Sequence, residues 1–285
     1  MLRSILVVSL GSVLLAQARE PGLAASQQAV LERTAARYDS ASWARGARRA
    51  GLLLGALELR GYTGGEIERL GKGPVQRTFA DGSGEARLRI EVHVAERPED
   101  AQRQLLGWLA HISSPGLVPP AAGAGIPVGD VGFVGWSKPA ERRIAWLAFV
   151  RDNLAVRVHC LDPGANPHPD LAAVAQAVDA AIVREPVLAK DAPLPRPVIA
   201  RLQPAAASCK AGQQLALQVE VVDPAGAPTL KFEFDGPGQG YVEQDGPGRW
   251  RLCTTGAGKL TVRLEVTGAR GVSVTATTQI DVGPR

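Results

Sequence analysis

The chain has 285 residues, 45% of them hydrophobic, which is enough for two domains that each bury a core and unlike a disordered or collagen-like polymer. Its net charge of +4 comes from dispersed Lys and Arg with acidic residues between them. No basic run with interleaved aromatics occurs, so no nucleic-acid partner is expected.

Residues 1–18 have the three parts of an export signal: Arg3, the apolar run ILVVSLGSVLL, and the small-x-small site Ala16-Gln17-Ala18. The mature chain is expected to begin near Arg19, without a membrane span, in the periplasm or secreted from the cell. Ser26 is placed to cap a helix whose apolar positions include Val30, Ala35 and Tyr38. Residues 52–59 suit helix and strand equally, and the run ends at Gly61-Tyr62-Thr63-Gly64-Gly65.

From Val75 to Val94 the pattern is plain. Val75, Arg77 and Phe79 lead to a turn at Asp81-Gly82-Ser83-Gly84, after which Leu88, Ile90, Val92 and Val94 alternate with Arg87, Arg89, Glu91 and His93. This is a half-buried hairpin. Pro98 stands at the start of an amphipathic helix with Glu99 and Asp100 in its first turn and Ala101, Leu105, Trp108, Leu109 and Ile112 at helical spacing. A Pro/Ala/Gly loop to about 128 and a short strand over 129–136 follow.

The stretch RIAWLAFVRDNLAVRVHCL, residues 143–161, reads as a tight hairpin closed by Asp152-Asn153 in a type I′ turn. Leu147, Phe149, Val156, Val158 and Cys160 then share a core face, while Trp146, Arg157 and His159 share the other. Pro169 is expected to open a second helix with Leu171, Val174, Val178 and Ile182 on one side. The element order predicts an α+β domain over 19–185, an antiparallel sheet with its helices on one face. It is similar in element order to the PsbP/Mog1-shaped secreted domains, a likeness that carries no functional residue. Pro186, Pro193, Pro195 and Pro197 mark a stiff linker over 186–197.

From 198 to 285 short strands alternate with Gly/Pro turns, with strands expected at 198–202, 214–222, 229–235, 249–253, 259–267 and 272–282. Leu215, Leu217, Val219 and Val221 alternate inward, as do Leu260, Val262, Leu264 and Val266, the pattern of an all-β sandwich. KAGQQLALQVEVVDPAG, LKFEFDGPG and GKLTVRLEVTGARGVSVTATTQIDV resemble the immunoglobulin-like PKD repeats and related bacterial Ig-like modules. Phe232, Phe234, Asp235 and Gly236 stand at the aromatic-x-aromatic-Asp-Gly segment, though the usual Trp and second Gly-Asp-Gly are altered. The resemblance implies an extracellular spacer or adhesion module. It also implies that the strand after Cys209 and the strand ending at Cys253 are antiparallel neighbours, hence a Cys209–Cys253 disulfide in an oxidising compartment.

No Gly-x-Ser-x-Gly elbow, phosphate loop, Cys-x-x-Cys or His-Glu-x-x-His occurs. Cys160 is expected to be a buried free thiol, since its neighbour His159 points to the opposite face. His93, His111, His159 and His168 lack the spacing of a metal site on one helix, and Asp162, Asn166, His168 and Asp170 are ordinary loop residues, so no metal and no cofactor is expected. Asp223 and Asp235 are read as turn residues. The candidate site is an aromatic-cationic patch of Trp136, Trp146, Arg157 and His159, suited to a sugar ring or an acidic polymer, the alternative being a face on which a helix or the second domain lies down. The resulting expectation is an exported, non-enzymatic binding or scaffold protein whose partner is an envelope protein, a polysaccharide or a second copy of the chain. The rivals are a hydrolase or carbohydrate-active accessory protein with a shallow site in the N-terminal domain, and a structural spacer.

Overall fold

The computed structural model describes residues 48–69, 73–111, 118–141 and 143–285. The expected export signal and the helix after Ser26 lie outside the described residues. The chain divides into two compact units: one contains Arg48-Arg49 and residues 57–192, the other residues 50–56 and 193–285.

The first unit is built on β1 (Arg48–Arg49), β2 (Thr63–Arg69), β3 (Val75–Ala80), β4 (Ala86–Val94), β5 (Val131–Lys138), β6 (Arg143–Arg151), β7 (Leu154–Cys160) and β8 (Val187–Leu188). It has two α-helices among the described residues, α1 (Pro98–Ala110) and α2 (Leu171–Arg184). Six strands form one antiparallel sheet in the order β2-β3-β4-β7-β6-β5, and β1 pairs with β8 as a separate two-stranded ribbon. The β6-β7 hairpin lies inside the large sheet, between β4 and the edge strand β5, and Val, Phe, Leu and Ala line both of its faces.

That two-sided burial overturns the expected α+β domain with helices on one face. Strands dominate the described residues, and the two helices lie against opposite faces of the sheet. Ala101, Leu105 and Leu109 of α1 pack on Phe133, Ala148, Val150 and Ala155. Full burial of Leu105 and Leu109 contributes roughly 2 kcal/mol each. Arg151 belongs to the other parity of β6, with Leu147 and Phe149, and it ion-pairs with Asp179 of α2 at 2.7 Å. Alternation alone gives the two faces but not what covers them.

The hairpin turn also departs from expectation. Asp152 has φ 51° and is the one non-glycine residue with positive φ among the described residues, so the turn has the φ signature of type II′. Type II′ normally wants Gly at that position. Here Asp152 is held by its own ties: its N–H donates to Asp130 Oδ2 at 2.6 Å, and its carboxylate accepts from Arg49 Nε at 2.7 Å. The next residue, Asn153, is wholly buried. Its Oδ1 accepts from the Arg49 N–H at 2.5 Å, and its Nδ2 donates to the carbonyls of Ala95 at 2.9 Å and Arg49 at 3.2 Å.

Elsewhere the boundaries move by a few residues. The glycines at 64 and 65 lie inside β2, whose register slips between Gly64 and Ile67, rather than in a loop. Helix α2 begins at Leu171 and not at Pro169, with Asp170 as cap accepting from the Ala173 N–H at 3.0 Å. Val187 and Leu188, inside the expected linker, form strand β8, and Arg48 donates to the Ala192 carbonyl at 2.9 Å.

The second unit contains β9 (Val198–Pro204), β10 (Ser208–Lys210), β11 (Gln214–Val222), β12 (Thr229–Asp235), β13 (Gln239–Gln244), β14 (Trp250–Gly256), β15 (Gly258–Thr267) and β16 (Ser273–Gly283). Two four-stranded sheets result, ordered β10-β16-β15-β12 and β13-β14-β11-β9. Leu217 and Leu252 of one sheet pack with Leu260, Val262, Ile280 and Val282 of the other, and the rings of Phe232 and Trp250 meet at 5.1 Å. Strands β10 and β13 were not foreseen. Leu52 and Leu54 are buried, and Gly51, with φ 116°, comes so close to the Arg270 backbone that a Cβ would stand 2.7 Å from its carbonyl oxygen.

The predicted disulfide is absent: Cys160, Cys209 and Cys253 are all free. The expected pairing of the two main strands is present, with Gln214 opposite Cys253, but the short strand β10 carries Cys209 away to pair with β16 of the other sheet. Cys209 packs on the sandwich core. Cys253 follows the inward Leu252 and so points to the outer face, 3.7 Å from Glu243 Oε2. Alkylation in denaturant without reductant should therefore count three free thiols by mass. A count of one would restore the bridge.

Candidate functional site

Three of the four predicted patch residues come together on the sheet face covered by α1. Cross-strand register sets Gly135, Trp146, His159, Arg89 and Thr78 in one row across β5, β6, β7, β4 and β3. The adjoining row is Phe133, Ala148, Arg157, Glu91 and Gln76. Trp136 does not join them. The register shifts between Gly135 and Trp136, which brings Trp136 opposite Ile144 instead of beside Trp146.

The centre of the patch is Glu91, which pattern reading assigned to the wet side of its strand. Its side chain is only 1% exposed. Arg157 donates to Oε2 from Nη2 at 2.7 Å and from Nε at 3.1 Å, Arg89 Nε lies 3.0 Å from Oε1, and His159 Nε2 lies 3.4 Å from the same oxygen. Burial pushes the carboxyl up, but His159 and Arg157 overcome it and hold Glu91 down to about 2. Burial, helped by the Arg157 and Arg89 charges, pushes His159 down against the pull of Glu91.

Helix α1 closes one end of this face. The Arg157 guanidinium lies 5.0 Å from the centre of the Trp108 ring, a cation–π contact on the helix side. Trp146 lies over Gly135 so closely that a Cβ there would collide with its indole, and glycine on this edge strand is what gives the ring its seat. Beyond Trp108 the row of Trp146, His159, Arg89 and Thr78 is half-buried rather than sealed. The Arg89 side chain is 34% exposed, and among the described residues its terminal nitrogens have no hydrogen-bond partner.

On the opposite face the structure brings together a pair that sequence reasoning missed. Cys160 Sγ lies 4.0 Å from His168 Nδ1, while His168 Nε2 donates to the Ile144 carbonyl at 2.9 Å. His168 also lines a cleft of about 250 Å³ with Glu141, Arg143 and Asp170. The pair has the outline of a thiol and an oriented base, but its electrostatics run the other way. The Cys160 S–H donates to the Asp162 carbonyl at 3.1 Å, and burial and the Asp162 carboxylate both push the thiol up.

The remaining loop carboxylates are occupied as turn and cap residues. Asp162 accepts from the Gly164 N–H and from Arg87, and Asp223 accepts from the Ala225 and Ala269 N–H groups. His93 and His159 lie on neighbouring strands but in rows four residues apart, since His93 faces Ala155. No helix among the described residues is long and apolar enough to cross a membrane.

No family model matches the chain, and no curated protein is significantly similar to it.

Proposed function

We propose that this is an exported, non-catalytic binding protein whose first unit presents the Arg89–His159–Trp146 face to an envelope partner. The second unit then serves as a PKD-like or Ig-like spacer or adhesion module. The observation that carries the reading is the half-open row beyond Trp108, where an indole and a guanidinium with free donors stand on either side of His159 on one sheet. Large aromatic and Arg side chains on a preformed scaffold are the groups that dominate recognition surfaces.

The hydrolase alternative has the Cys160–His168 pair and its cleft in its favour. A raised thiol whose proton is already given to a carbonyl is a poor nucleophile, however, so the binding reading is preferred.

Co-sedimentation of the full chain with envelope fragments of the producing cell tests the proposal. The wild-type chain should be retained, and an Arg89→Gln/Trp146→Leu variant of unchanged circular dichroism should lose retention tenfold or more. Equal retention of the two would overturn it.

A further inference from the structure

We infer that the open row of Arg89, His159 and Trp146 binds a carboxylated polysaccharide, one acidic sugar residue at a time. This rests on the binding reading above and names its ligand.

The charge balance of the face points to an anion. Arg87, one row further along β4, is already matched by Asp81, Glu85 and Asp162. Arg89 and Arg157, by contrast, share the single buried carboxylate of Glu91. Glu68, two strands from Glu91 in the same row, accepts from Gln76, so two guanidiniums have one ion-paired carboxylate between them among the described residues and the excess of positive charge is local to them. Arg157 spends its donors on Glu91 and lies against the ring of Trp108, so the excess is presented at Arg89.

The shape points to a sugar. Trp146, His159 and Arg89 lie side by side on three adjacent strands, so Trp146 and Arg89 are about 10 Å apart at their backbones, two interstrand spacings. A ring seated on the indole can then direct an attached carboxylate toward the Arg89 fork, whose parallel N–H groups match a planar carboxylate. A polyphosphate chain would call for a track of several cations, and this row offers one.

The experiment is calorimetric titration of the full chain with oligogalacturonate and with the same oligomer fully methyl-esterified. The acid form should bind, esterification should weaken binding tenfold or more, and Arg89→Gln should have the same effect as esterification. Because Arg89 neighbours buried Glu91, Thr78→Glu is the second variant: Thr78 faces Arg89 across β3 and β4, is half-buried, and a carboxylate there should compete for the fork and weaken acid binding about as much. Arg201→Gln, on exposed β9, is the control and should change nothing.

Equal binding of acid and ester would overturn the acidic-sugar assignment while leaving a binding surface in place. Acid binding unaffected by both Arg89→Gln and Thr78→Glu would overturn the location. No binding of either oligomer would overturn the inference, and the envelope sedimentation above then decides the broader reading separately.

Discussion

Replacing Glu91 with Gln should lower the unfolding free energy of the first unit by about 3 kcal/mol at pH 7, because it leaves Arg157 and Arg89 facing a buried neutral amide. The carboxyl is held at about 2 in the folded chain against an ordinary 4.5. A depressed carboxylate stabilises the fold fully above its unfolded value and loses that contribution as pH falls toward the folded one. The difference between wild type and variant should therefore be complete at pH 7, shrink from about pH 4.5 downward, and nearly vanish by about pH 2. Urea denaturation at several pH values reads this directly. Removing Arg157 as well, as Glu91→Gln/Arg157→Met, should recover part of the loss, since the uncompensated charge goes with it. A variant as stable as wild type at pH 7 would mean that solvent, not Glu91, balances these cations.

A loss of similar size, about 3 kcal/mol, is expected for Asn153→Ala, for a different reason. The Asn153 amide is the only side chain that ties the hairpin turn to both the Arg49 backbone and the Ala95 carbonyl among the described residues. Truncation strands these backbone groups in a site with no access to water. Asn153→Asp keeps the acceptor for the Arg49 N–H but turns both carbonyl contacts repulsive, so it should not rescue. Chemical denaturation measures both variants, and hydrogen exchange at the Arg49 N–H should accelerate in the alanine variant. Unchanged exchange there would show that the amide is not what protects it.

The central hairpin was legible because strand alternation is a local property. Residues 143–161 carry their own turn and their own two faces, and the observed pairing of Trp146 with His159 and Phe149 with Val156 follows from loop length. What covers each face was not legible. The decision that α1 lies over Ala148 and α2 over the side of Leu147 and Phe149 depends on connections through loops, and those leave no periodic signal. The same limit hid Glu91. Its alternation with Arg89 and His93 reads as a solvated edge, and only the neighbouring strand β7 shows that Arg157 and His159 enclose it. The disulfide failed at a finer scale. The pairing of β11 with β14 was right, but the three residues of β10 cross to the other sheet and take Cys209 with them. His168 beside Cys160 is likewise a product of loop geometry, eight positions apart in the chain with prolines between.

The division of the chain has a consequence for how the protein can be cut or shuffled. Residues 50–56 belong with 193–285, while the intervening stretch builds the other unit. A gene fragment beginning at the proline-rich stretch would encode the sandwich strands without residues 50–56, whose Gly51 lies against the Arg270 backbone. The sandwich is thus not a cassette that recombination can lift out at its apparent linker. An exchange that respects the fold has to take both segments, and with them everything encoded between, so the two units are inherited together.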